Sequence, residues 1–148
     1  HAMAAGLEME AQHVDALRTR FNAAARAFAG GRRLLPVQKI DAWVDLEEAD
    51  DRLLEELDRL RPFGCSHATP VWAARNLRVV GKPQTVGKGH VKFRVAGGAL
   101  IRDCIAFGRG DAPLPAGPLD IAFQLRRDTF QGRSQLMLNV QDVRAVGS

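Results

Sequence analysis

In the hexapeptide His90-Val91-Lys92-Phe93-Arg94-Val95, bases and apolar residues alternate strictly. In an extended chain that period sends Val91, Phe93 and Val95 to one face and His90, Lys92 and Arg94 to the other. The cations then stand about 7 Å apart along the strand, close to the phosphate spacing of an extended single strand, so this face could track a nucleic-acid backbone electrostatically. The same pattern also describes the solvent face of an ordinary barrel, and charge alone leaves both readings open. Arg75, Arg78, Lys82, Lys88, Arg126 and Arg133 could widen the patch, as could Arg102, Arg109 and Arg127. Aromatic partners for base stacking are sparse: Trp72, Phe107 and Phe130, with no tyrosine. Phe107 closes an apolar run and is expected in the core, whereas Phe130 lies in a polar turn and is expected to be exposed. Few stacking residues imply modest, salt-sensitive binding with little base preference.

Residue sets that would support catalysis are missing. No glycine-rich phosphate loop, no Gly-x-Ser-x-Gly and no helical histidine pair occurs. Asp45, Glu47, Glu48, Asp50 and Asp51 form a dense acidic cluster, but at a helix start such a cluster is expected to be a cap and a solvated face rather than a metal site. Cys65 and His67 stand near each other without a third group to orient the base. Cys65 and Cys104 have no paired spacing and are expected to be reduced, structural thiols. Neither a catalytic residue nor a bound metal is therefore expected in this chain.

These residues must be positioned by a small scaffold. With 148 residues and 46% hydrophobic content, the chain can bury one core and a small appendage. Charge divides unevenly: residues 1–60 carry a net −4 and residues 61–148 a net +8, so the basic character belongs to the second part and suggests a polyanionic partner. Val14, Leu17, Phe21, Ala24 and Phe28 recur at helical spacing and predict an amphipathic packing helix over about 11–29, stopped by Gly30-Gly31. Ile40, Ala42, Val44 and Leu46 then alternate with polar residues and Trp43 as in a half-buried strand. Asp50-Asp51 begins a short helix over about 50–60, with Leu53, Leu54, Leu57 and Leu60 on one face. Strands are expected at 71–80, 88–95, 99–107, 119–127 and 135–144. Gly97-Gly98 suits a two-residue hairpin, and Lys82 and Lys88 are expected around a glycine-containing loop. Five short strands without helices long enough for crossovers favour a small closed barrel. No run reaches the roughly 20 apolar residues of a membrane span, and no secretory signal is seen, so a soluble cytoplasmic protein is expected. The chain opens on His1 rather than Met, for which a segment of a longer protein is the simplest reading.

Three segments, in order, resemble one family. His1-Ala2-Met3-Ala4-Ala5-Gly6, with the helix ending Arg18-Thr19-Arg20-Phe21-Asn22, resembles the GGHxxAAG motif and following helix of the DHH-associated domain of RecJ exonucleases. Leu53-Leu54-Glu55-Glu56-Leu57-Asp58-Arg59-Leu60-Arg61-Pro62-Phe63-Gly64 resembles the family's LLEELERLxPFG lead into its OB domain, and Asp103-Cys104-Ile105-Ala106-Phe107-Gly108 is similar to its AIAFG strand. The chain departs at Cys65-Ser66-His67-Ala68-Thr69, where the family has xGNPE before the retained Pro70. The resemblance implies a mainly β chain with flanking helices. Residues 1–33 would be the remnant of the DHH-associated domain, and 34–148 an OB-fold five-stranded barrel that binds nucleic acid. It further implies a parent enzyme that degrades single-stranded DNA from the 5′ end, in DNA repair and recombination. That chemistry would use Mn²⁺ or Mg²⁺ held by upstream residues absent here. Of the family's functional positions only His1 carries over, as a histidine approaching substrate phosphate. Single-stranded DNA is the implied partner; the alternative is a module docking the acidic tail of a single-strand-binding protein.

Overall fold

The computed structural model describes residues 4–32, 36–110, 112–129 and 134–147. These fall into two compact units divided between Val37 and Gln38. In the first, a 3₁₀ turn over Ala11–His13 leads into α1, Val14–Phe28, matching the periodicity. Its exit is closed as the motif requires, with the Gly30 and Gly31 amides donating back to the Ala27 and Arg26 carbonyls. No residue of α1 is buried, and Phe21 and Phe28 are exposed.

The second unit begins with β1, which is only Ala42–Trp43 and runs parallel to the start of β2. The alternation over Ile40 to Leu46 predicts a longer strand. It is cut short because the Asp45 amide donates to Glu48 Oε2 and the Glu48 amide to the Asp45 carbonyl, a turn that redirects the chain. Leu46 and Ala49 go into the core instead. In α2, Asp51–Arg59, the Asp50 carboxylate caps the start by accepting from the Leu53 amide at 2.8 Å. Leu54 and Leu57 are buried, each contributing roughly 2 kcal/mol, whereas Leu60, expected on the same face, is exposed. Leu60 lies beyond the last helical turn, in the segment where its carbonyl accepts from His67 Nε2 at 3.0 Å.

Five strands then close a barrel: β2 Trp72–Val86, β3 His90–Gly97, β4 Leu100–Ala106, β5 Leu119–Asp128 and β6 Gln135–Ala145. The order is β1-β2-β3-β4-β6-β5, with β2 also pairing β5. Every contact is antiparallel except β4 against β6, where Cys104 faces Leu138, and the short β1 on β2. Closure depends on β2 serving two partners. Trp72 to Leu77 pairs with β5 and Arg78 to Val86 with β3, and the strand bends through register shifts between Ala74 and Leu77 and between Val80 and Gln84. Gly81 stands in the second shift at φ 73°, a left-handed conformation that a side chain would strain. The first holds Asn76 at φ 55°, and there the buried Asp120 carboxylate accepts from the Asn76 amide at 3.0 Å and from Arg144 at 3.0 and 3.2 Å. Burial acts to raise the Asp120 pKa, but the bonds from Asn76 and Arg144 outweigh it and hold the carboxyl below its ordinary range.

β2 runs on to Val86, so Lys82 sits within a strand and the hairpin to β3 turns at Gly87-Lys88-Gly89. The β3–β4 hairpin loop is Gly98-Ala99, one residue later than Gly97-Gly98, because Gly97 still pairs with Leu100. The barrel interior holds Val91, Phe93, Val95, Cys104, Leu119, Ile121, Phe123, Leu125, Leu138 and Val140, together with Leu46, Leu54 and Leu57.

Candidate nucleic-acid interface

On β3 the period-two reading is realised: Val91, Phe93 and Val95 are buried, while His90, Lys92 and Arg94 point outward. Their cross-strand partners follow from register. Arg94 lies between Val80 of β2 and Asp103 of β4, and Lys92 between Gln84 and Ile105. Arg94 reaches back over Gly81, whose missing Cβ would stand 3.4 Å from its guanidinium.

These residues line a groove of about 560 Å³ across four strands and the start of a fifth. Lys82 and Gln84 come from β2, Lys92 and Arg94 from β3, Asp103 from β4, Asp128 from β5, and Gln135 and Met137 from β6. A second hollow of about 190 Å³ adjoins it through the shared Lys92, Asp128 and Met137, and is walled by Ile105, Phe107 and Arg126. The basic face therefore becomes a channel rather than a flat ladder.

Its charge is mixed. The Lys92 ammonium is 3.8 Å from the Asp128 carboxylate, both partly exposed, and Asp103 accepts a hydrogen bond from Gln135. Three cations and two carboxylates share the larger groove, so it attracts phosphate less strongly than Lys82, Lys92 and Arg94 alone would.

The other candidates divide. His90 flanks the smaller hollow: its ring meets Phe107 edge-on at 4.9 Å, and its Nδ1 accepts from the Gly108 amide at 3.1 Å. Lys88 is exposed in the hairpin turn above it, and Arg78 is exposed on the outer face two positions along β2 from Val80. Arg75 is elsewhere. Its guanidinium stacks 3.9 Å over the Trp43 ring, in a separate hollow of about 510 Å³ edged by Asp45, Glu47 and Glu48. Arg127 pairs with Asp51 at 2.9 Å and Arg102 donates to the Ala49 carbonyl at 3.1 Å, so both tie α2 and its approach to the barrel. Arg109 has a buried Nε without a hydrogen-bond partner among the described residues. His1, Phe130 and Arg133 lie outside the described residues.

Phe107 overturns its sequence reading. It is 47% exposed, because β4 ends at Ala106 and Phe107 belongs to the turn that follows. The glycines at 108 and 110 carried the signal that the strand stops before Phe107. Asp103, Asp128, Gln135 and Met137 were missed as groove residues, and nothing local marks them, since barrel closure alone brings them to Lys92.

Both thiols are free, Cys65 exposed and Cys104 buried, where burial and then the Asp103 charge push the Cys104 pKa far up. Among the described residues no three His, Cys, Asp or Glu side chains converge as metal ligands, so Mn²⁺ or Mg²⁺ has no donor set there. The described acidic cluster serves as turn, cap and ion-pair partner. No described helix is long and apolar enough to cross a membrane.

A closed five-stranded barrel of this topology, preceded by helices, is an OB fold. Its residues 40–142 match the profile of the RecJ OB domain, and the chain belongs to that family. It is 26% identical over 147 residues to the single-stranded-DNA-specific exonuclease RecJ of Bacillus subtilis, covering 96% of this chain and 19% of that protein. RecJ of Thermus thermophilus, solved in complex with Mg²⁺ and with Mn²⁺, shares the fold with a TM-score of 0.60 in each case. The identities are 23% and 24%, and the match covers 90% of this chain and 21% and 20% of those chains. The chain thus spans about a fifth of the length of these relatives.

Proposed function

We propose that this chain is the barrel by which a RecJ-like 5′→3′ exonuclease of DNA repair and recombination grips single-stranded DNA. In this reading residues 34–148 form the gripping domain and residues 1–33 the end of the DHH-associated domain. Phosphodiester hydrolysis, with Mn²⁺ or Mg²⁺ activating water, belongs to another part of the parent enzyme. The observation that carries the reading is the groove itself. Lys82, Lys92 and Arg94 come from two adjacent strands to line one channel, which continues past Arg126 to Phe107. Phosphates would lie along the cations, with Arg78, Lys88 and His90 at the margins; Arg133 and Phe130, outside the described residues, are proposed to add to the binding. Arg75, engaged with Trp43, contributes least. His1 would belong with the substrate phosphate at the nuclease centre.

The test is fluorescence anisotropy of labelled oligo-dT against the chain and its Lys92→Ala/Arg94→Ala variant across a salt series. The expected result is saturable binding whose logarithm falls linearly with log salt, with the slope reduced by about 1.4 in the double variant, from roughly 0.7 per phosphate contact. Absence of binding at low salt would overturn it in favour of a second reading, in which the groove receives the acidic tail of a single-strand-binding protein. The exposed Phe107 beside Arg126 in the adjoining hollow favours that alternative, since a tail would need both charge and an apolar contact.

A further inference from the structure

The smaller hollow differs in kind from the basic groove. Phe107 presents nearly half of its surface to solvent at the channel end, where a phosphate would gain nothing from it. Its ring is held in place: His90 meets it edge-on at 4.9 Å with 69° between the planes, and the Gly108 amide, next along the chain, donates to that same imidazole at 3.1 Å. An aromatic side chain fixed in this way loses little further freedom on binding a ligand.

The Arg126 guanidinium stands 5.7 Å from the centre of the Phe107 ring. The pair at the other hollow is closed, with Arg75 at 3.9 Å over Trp43. A planar ring between two faces needs about 7 Å, two contacts of roughly 3.5 Å. Arg126, on an exposed side chain and not in close stacking contact with the ring, can swing aside to admit one. The hollow of about 190 Å³ can hold a single heteroaromatic ring system, and Lys92 at its mouth leads directly into the phosphate-tracking groove.

We infer that Phe107 is a base-stacking residue, and that one unpaired nucleobase of the bound strand inserts between its ring and Arg126 while the adjoining phosphates lie along Lys92 and Arg94. This rests on the proposal that the groove holds single-stranded DNA and adds to it a subsite for a base. Stacking uses a π face that every base has, so the subsite raises affinity without selecting sequence.

The experiment compares labelled oligo-dT with an abasic oligomer of equal length, binding to the chain and to its Phe107→Ala and Phe107→Trp variants, with thermal melts to verify folding. Wild type is expected to bind oligo-dT about tenfold more tightly than the abasic strand. Phe107→Ala should lose that advantage while keeping the abasic affinity and the salt slope, and Phe107→Trp should retain it. Equal wild-type affinity for both strands overturns the stacking subsite and leaves the phosphate groove standing, without relying on any variant. Tight oligo-dT binding by a folded Phe107→Ala overturns it as well. Binding to neither strand would overturn the groove reading and this inference together.

Discussion

The Lys92 ammonium and the Asp128 carboxylate face each other at 3.8 Å where the groove adjoins the smaller hollow, one from β3 and the other from the end of β5. Both are partly exposed, so the pair adds little to stability. Its consequence is electrostatic: the carboxylate lowers the positive potential that Lys92 presents to any anion in the groove.

Removing that competition should tighten binding. Asp128→Asn is expected to raise affinity for oligo-dT about threefold at low salt, with the gain shrinking as ionic strength rises and screens the carboxylate. Anisotropy titrations at two salt concentrations check this, and an unchanged or weakened affinity would place the bound strand away from Lys92.

Asp120 anchors the first bend of β2 through Asn76 and Arg144. Asp120→Asn should cost about 1–3 kcal/mol at neutral pH by weakening charge-assisted hydrogen bonds at a buried position. Because the folded carboxyl titrates below its ordinary 3.8, its contribution is complete above that value and is lost as pH falls through the lower folded value. Denaturant melts at pH 7 and in acid should therefore show the gap between wild type and variant narrowing in acid; a constant gap would mean that the charge is not what holds the bend.

Gly97 lies where the β3–β4 hairpin passes over the core. A Cβ there would stand 2.7 Å from Leu77 Cδ2 and 3.3 Å from Leu46 Cβ and Cδ2. Gly97→Ala is therefore expected to destabilise the barrel by about 1–3 kcal/mol, the usual cost of overpacking. Thermal or urea melts measure this, and a neutral substitution would mean that Leu77 and Leu46 yield without cost.

The alternation over His90 to Val95 was enough to assign inner and outer faces, because side-chain direction in a strand depends only on position. The strands of the barrel, α1 and the Asp50 cap were legible for the same kind of reason, as was the RecJ OB resemblance, now supported by the match over residues 40–142. The strand expected over Ile40 to Leu46 was not, since a side-chain-closed turn at Asp45 and Glu48 overrides its alternation.

Which cations share a groove lay beyond the sequence. Lys82, Arg94 and Asp128 come together only because β2 bends near Gly81 and Asn76 to pair with both β3 and β5. The same closure sends Arg75 to Trp43 and Arg127 to Asp51, although by residue type all are equivalent cations. Phe107 is exposed because β4 ends one residue before it. Local chemistry determines what a strand residue faces, in or out. Its neighbours on that face depend on register across the whole barrel, which is set by two bends and the pairing of segments far apart in the chain.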